Sequence, residues 1–349
     1  MKLQERVEAF IKLGQEFSLL ISFKTEGNMF EEVIRKSHHK NPWFTPENVR
    51  MAFSAWSDEL VAPKINKWII PYLDQLEKNQ SHKTIGVINA GNIPLVGFHD
   101  FLTVILSGNN YLGKNSSDDP YLLPYIAELL IEIEPGLKEM ISFAEKLSGF
   151  DAVIATGSNN SARYFDYYFG KYPHIIRMNR NAVAILYGNE DINDYKKLGQ
   201  DIFQYFGLGC RNVSKLYVPS GYVFNAFFEA IESFSSVSQH NKYMNNHDYN
   251  NAIYLLKKIT FLDNGFLLVK EDESIASPIS VLYFEYYTDL KALEQKLETQ
   301  KEMIQCVTSK EPFTIGKGSV VEPGQTQHPQ LRDYADGIDT MKFLLSLQD

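Results

Sequence analysis

The chain has two cysteines, Cys210 and Cys306, and one of them stands where a nucleophile could work. Cys210 lies in Gly207-Leu208-Gly209-Cys210-Arg211, between a helix expected over 195–206 and a strand expected over 215–218. The flanking glycines let a ligand approach the main chain closely, and Arg211 favours the thiolate, the form that attacks. An isolated cysteine also serves as apolar filler, a use that suits Cys306, expected on an amphipathic helix over 290–307. Asn92, in the turn Gly91-Asn92-Ile93-Pro94, offers a side-chain N–H of the kind that stabilises an oxyanion, and it suits a plain turn equally well. Lys114 closes a short strand and precedes the polar turn Asn115-Ser116-Ser117-Asp118-Asp119-Pro120. Gly157-Ser158-Asn159-Asn160-Ser161 separates a strand from a helix, where main-chain N–H groups and the helix dipole can receive a phosphate. It matches neither the G-x-G-x-x-G fingerprint nor the Walker form. His38, His39, His240 and His247 lie in polar segments without ligands at metal spacing and read as solvated loops.

The elements that must position these residues follow from periodicity. Val7, Phe10, Ile11, Phe17 and Leu20 keep the helical period, and Thr45-Pro46-Glu47 reads as an N-cap followed by proline at the first helical position. The first eighty residues therefore look helical. From Thr84 the texture changes to strand 84–89, helix 98–107, strand 110–114, helix 122–133, strand 151–156 and a helix after Asn159. A second series begins beyond Ile175, with strand 182–187, helix 195–206 and strand 215–218. Such alternation implies a mainly parallel, doubly wound α/β architecture. The expected organisation is a helical N-terminus with a first α/β domain over 1–177, a second domain carrying Cys210 over 178–330, and a C-terminal tail over 331–349.

The bulk numbers bound the function. At 349 residues and 44% hydrophobic content the chain suits two packed domains. A net charge of −9 argues against nucleic acid as a partner. Two distant cysteines indicate neither a disulfide framework nor structural zinc, which favours a reducing, cytoplasmic setting. Residues 1–20 alternate charge with apolar positions and read as an amphipathic helix rather than a signal peptide, and no stretch reaches the length of a membrane span.

Taken in order, Asn92-Ile93-Pro94, Lys114-Asn115-Ser116-Ser117, Thr156-Gly157-Ser158 and Gly207-Leu208-Gly209-Cys210 resemble the N-F-P, K-P-S-E, T-G-S and G-Q-x-C segments of the aldehyde dehydrogenase superfamily. The resemblance spans about 84–218. Within the superfamily the chain looks most like the LuxC-type fatty acyl-CoA reductases, judging also by Ala276-Ser277-Pro278-Ile279-Ser280-Val281-Leu282 and Tyr334-Ala335-Asp336-Gly337-Ile338-Asp339. It implies a Rossmann-type cofactor domain plus an α/β catalytic domain.

It also implies roles. Cys210 would accept the acyl group, with Asn92 and the Cys210 main-chain N–H forming the oxyanion hole. Lys114 and Ser117 would meet the ribose or 2′-phosphate of NADPH, with NADH also admitted. Gly157 and Ser158 would meet the pyrophosphate, and Glu273 the nicotinamide ribose, with one residue extra in its motif. The substrate would be an acyl-CoA and CoA a product, with an acyl-activating partner or self-association left open. Hydrolytic relatives carry a base glutamate where this chain has Arg177, and no β-hairpin arm of the kind that builds their oligomers is evident over 64–84. Rival readings are an acyl-phosphate reductase or aldehyde dehydrogenase on the same scaffold, or a non-catalytic nucleotide- or CoA-binding homologue.

Overall fold

The structure is a computed structural model that describes residues 1–23, 28–78, 82–157, 159–315 and 319–348. It divides into two compact units: Met1–Met178 with Gln330–Tyr334 and Ile338–Asp349, and Asn179–Pro329 with Ala335–Gly337. The segment expected as a tail is therefore shared, most of it going to the first unit.

The first unit opens with helices. Helix Pro46–Glu59 starts as its sequence dictates, with the Thr45 side chain accepting from the Asn48 N–H and proline in the first turn. Its buried face, Val49, Ala52 and Phe53, meets Phe17 of helix Leu3–Ser22 and Phe30 of helix Met29–Lys40, ring centroids 4.7 and 4.8 Å from Phe53. Offset aromatic contacts of this kind add about 0.5–1.5 kcal/mol each beyond burial. Between Lys64 and Thr84 the described residues form helices Ala62–Ile69 and Leu73–Lys78 joined by a 3-10 turn.

Five strands follow: β1 (Thr84–Ile88), β2 (Asn110–Lys114), β3 (Ile141–Phe143), β4 (Ala152–Thr156) and β5 (His174–Arg177). They pair in the order β3-β2-β1-β4-β5, parallel throughout. β4 reads AVIAT because a parallel strand covered on both faces has no wet side to alternate toward. Helices Phe98–Leu106, Leu122–Ile133 and Asn159–Phe169 make the crossovers. The order reverses between β1 and β4, and such a switch point is where open α/β sheets bind ligands, beyond the carboxyl ends of the strands.

The second unit is built on seven strands: β6 (Asn181–Ile185), β7 (Val213–Pro219), β8 (Leu262–Asp263), β9 (Leu268–Glu271), β10 (Val281–Tyr287), β11 (Ile304–Ser309) and β12 (Ser319–Val321). Their order is β12-β11-β6-β7-β10-β9-β8, parallel except for the β8–β9 pair. β7 is central and buried from Val213 to Val218. The expected helix over 290–307 is corrected: it stops at Gln300, and Cys306 lies fully buried in strand β11. Among the described residues no helix is long and apolar enough to cross a membrane.

Candidate functional site

The first unit brings three of the sequence motifs to the carboxyl ends of neighbouring strands. Ile88 ends β1 in register with Lys114 of β2, while Ala155, one residue before the end of β4, also pairs with Ile88. The main chain continues the ladder, with the Asn89 N–H donating to Lys114 O at 3.0 Å. Asn89 is 8% exposed, and its Nδ2 donates to the Tyr111 hydroxyl at 2.8 Å and to Asn115 Oδ1 at 3.0 Å, tying the turn after β1 to the turn after β2. Gly91 permits this approach, since a Cβ there would fall 2.7 Å from Ser116 Oγ. Asn92 is exposed in the adjoining bend, and Leu95 just beyond is held in the left-handed region at φ 59°. Lys114 is half-buried, Ser117 is exposed, and Asp118 next to it is exposed as well. Asp119 behind them is 7% exposed, and burial pushes its carboxyl up to about 6 despite an N–H bond from Leu122.

Gly157 follows β4, and its N–H donates to Arg177 O at 3.3 Å, so this amide is engaged in the sheet. Its missing Cβ matters for packing, since one would come within 2.9 Å of Ser161 and Phe165 on the following helix. Ser158 lies outside the described residues. The end of β2 carries a half-buried lysine and a polar turn, one strand away from the switch point.

Arg177, at the end of β5, is 4% exposed and makes a bidentate pair with Asp100, 2.6 and 2.9 Å, while also donating to Thr340 Oγ1 at 2.9 Å. A guanidinium held in this way remains protonated and cannot serve as a base.

In the second unit Cys210 occupies a tight loop between helix Ile192–Phe203 with its 3-10 extension and β7. Tyr205, Phe206 and Gly207 take φ of 52°, 58° and 77°, three successive left-handed residues of which two carry aromatic side chains. Each non-glycine residue held so costs about 1–3 kcal/mol, which the surroundings must offset. Asn212 supplies part of the offset, with Nδ2 reaching the carbonyls of Asp201, Ile202 and Gln204 and Oδ1 accepting from the Gly209 N–H. Asp201, 1% exposed, accepts from the N–H groups of Gly324 and Thr326 and from Thr326 Oγ1, and buried Arg211 donates to Thr326 O. Burial lifts the Asp201 carboxyl to about 6 against these bonds. Cys210 itself is partly exposed. Phe206 and Gly207, with Tyr243 and Ile279, line a small, open recess.

The strand that follows Cys210 also fixes the segment carrying Glu273. Ser214 Oγ donates to Ile275 O at 2.7 Å, and Lys215 Nζ donates to Glu273 O at 2.8 Å and to Glu285 Oε2 at 2.8 Å. The Glu273 side chain is exposed.

The histidines are corrected. His38 and His39 end helix Met29–Lys40, and His247 is 4% exposed on helix Asn241–Leu256, with Nε2 3.0 Å from Asp263 Oδ1. Among the described residues no group of three or more His, Cys, Asp or Glu is placed to hold a metal ion. Sequence reasoning missed Asn89, Asp201 and Asn212, which look like ordinary polar residues until their carbonyl and amide partners are seen.

The family model for acyl-CoA reductase (LuxC) matches residues 59–225. The LuxC-type resemblance is borne out. The matched stretch holds Asn92, Lys114, Ser117, Gly157 and Cys210 of this LuxC-like chain. No match was found among the curated proteins. Among solved structures, aldehyde dehydrogenase 21 from Physcomitrella patens, in complex with the reaction product succinate, is 16% identical with a TM-score of 0.70, covering 100% of this chain and 85% of that one. An NADP dependent enzyme of E. coli is 12% identical with a TM-score of 0.63, covering 92% and 78%. The NAD+ complex of an aldehyde dehydrogenase from Bacillus cereus is 13% identical with a TM-score of 0.60, covering 88% and 72%. At such identities the likeness establishes the fold, that of the aldehyde dehydrogenases, and the family match adds an oxidoreductase of the LuxC kind.

Proposed function

We propose that the LuxC-like chain takes an acyl group from a CoA thioester onto Cys210 and reduces it to an aldehyde with NADPH. The observation that carries this reading is the contrast between the two thiols. Cys210 is partly exposed in a glycine-flanked loop inside the family match, and Cys306 is sealed in β11. A nucleophile needs access and a defined orientation, and only Cys210 has both.

The Cys210 thiolate attacks the thioester carbon, the C–S bond to CoA breaks, and CoA leaves as the thiol after taking a proton. The tetrahedral oxyanion on the way is met by the Asn92 side chain and the Cys210 N–H. Lys114 and Ser117 hold the adenosine end of the dinucleotide. Glu273, on a segment fixed by Ser214 and Lys215, holds the nicotinamide ribose. NADPH, when bound, supplies the hydride that the thioester carbon accepts. The thiohemiacetal alkoxide left on Cys210 then collapses, its C–S bond breaking to release aldehyde and return the thiolate that began the cycle. A nicotinamide cofactor is also supported by the names of structural neighbours, one called NADP dependent and another solved with NAD+.

Incubation with acyl-CoA followed by mass spectrometry should place one acyl group on Cys210, and NADPH should be consumed across a series of acyl-CoAs. Normal turnover in Cys210→Ala, or label on Cys306, overturns the reading.

A further inference from the structure

Asn212 takes no part in the steps above, and its side chain is buried at 1% exposure beneath the Cys210 loop. Its Nδ2 lies 3.0, 3.3 and 2.8 Å from the carbonyl oxygens of Asp201, Ile202 and Gln204, two hydrogens serving three acceptors. Asp201 and Ile202 stand in the last turn of helix Ile192–Phe203, whose final carbonyls lack helical partners, and Gln204 is the residue just beyond it. The Oδ1 of the same side chain accepts the Gly209 N–H at 2.8 Å, and the Asn212 N–H donates to Gly209 O at 3.0 Å. One residue thus holds the peptide unit on each side of Gly209. The second of those units carries the Cys210 N–H. Because a trans peptide is planar with its C=O and N–H opposed, a Gly209 carbonyl turned toward Asn212 turns the Cys210 N–H away from it.

We infer that Asn212 is a positioning residue for acyl transfer: its side chain holds the Leu208–Gly209 peptide, and so the loop in which its main chain holds the Gly209–Cys210 peptide with the Cys210 N–H toward the acyl oxygen. This rests on Cys210 being the acyl carrier. The side chain has two separable duties: its oxygen holds Gly209, and its nitrogen closes the helix end. Asn212→Asp keeps an oxygen facing Gly209 and loses the donor. Asn212→Ala loses both.

Three readouts separate positioning from mere support: the rate of CoA release on mixing with acyl-CoA, the rate of Cys210 alkylation by iodoacetamide, and the melting temperature. Alkylation passes through no oxyanion. Asn212→Ala should therefore slow acylation about 10²-fold, the effect of a misplaced reacting geometry, while alkylation changes less than about threefold, a span too small for a lost oxyanion donor. Asn212→Asp should acylate faster than Asn212→Ala although its charge among carbonyls makes it no more stable. Acylation that follows melting temperature across the two variants, or that changes no more than alkylation, overturns the inference. In the unsubstituted protein the Gly209 amide should exchange its hydrogen slowly, and rapid exchange overturns it whether or not the variants fold. If Cys210→Ala keeps full turnover, the acyl-carrier reading fails instead.

Discussion

Replacing Asp100 with alanine should destabilise the first unit by about 3–5 kcal/mol, the cost of leaving one member of a buried ion pair uncompensated. The figure follows from the geometry. The side chains of Arg177 and Asp100 are 5% and 7% exposed, and two bonds of 2.6 and 2.9 Å join them. An exposed pair would be worth only about 0–1 kcal/mol. Without Asp100 the guanidinium keeps the hydroxyl of Thr340 and loses the charge and the two bonds of that carboxylate. Urea unfolding read by intrinsic fluorescence is the assay, because the three tryptophans, Trp43, Trp56 and Trp68, all belong to the first unit. With a slope of about 2 kcal/mol per molar urea, the midpoint should fall by roughly 1.5–2.5 M. The double replacement Asp100→Leu with Arg177→Met should recover much of the loss, since an apolar pair of similar volume leaves no stranded charge. A single variant within about 1 kcal/mol of the parent, as for a surface pair, or a double variant less stable than the single, would refute the reasoning.

Asn92→Ala should slow acylation roughly 10²–10³-fold, the usual effect of losing one oxyanion donor, and a change below a few-fold removes Asn92 from the hole. Ser117→Glu should move kcat/KM from NADPH toward NADH by adding a carboxylate against the 2′-phosphate; an unshifted ratio shows that this turn does not read the ribose. Incubated with acyl-CoA and no NADPH, the protein should release one equivalent of CoA and then nearly stop, because a positioned base contributes about 10²–10⁴-fold to hydrolysis and Arg177 cannot be one. Sustained formation of free acid at the aldehyde-forming rate would sink that reading. Asp119 has a folded value of about 6 set by burial, against roughly 3.9 unfolded. Its protonated form therefore stabilises the fold at low pH, and that contribution fades as pH rises through 6. Asp119→Asn should abolish this slope between about pH 4 and 6, and parallel stability curves for parent and variant would refute it.

The sheet of the first unit was largely legible. The run 110–114 ended where β2 ends, and 122–133 matched its helix, because turn residues bracket both. β3 and β5, three and four residues long, carry too little pattern to be separated from loop. Cys306 was misread for a physical reason: the helix that ends at Gln300 runs through Lys301–Met303 into a buried strand with no glycine or proline between to mark the change. His247 looked solvated because its partner, Asp263, is sixteen residues away on another element. Cys210, Asn92 and Lys114 were conspicuous in the sequence because their turns carry glycine or proline. Asn212 was not, since its three carbonyls come together only when helix Ile192–Phe203 and β7 are both in place.

The first unit is not one continuous stretch of the chain. Tyr334 and Asp339 close a hydrogen-bonded group with Trp68 and Tyr72, Leu331 supplies the carbonyl that His99 meets, and Thr340 completes the shell of Arg177. On the ribosome, Met1–Met178 emerges well before those partners exist. The Thr340 bond of its guanidinium and the Tyr334 bond of its indole must then wait for roughly 150 further residues, about 8–30 s of synthesis at ordinary elongation rates. The nascent protein thus carries an unfinished first unit until the residues from Gln330 onward have emerged, and a ribosome stalled short of residue 330 would present a surface for chaperones to bind.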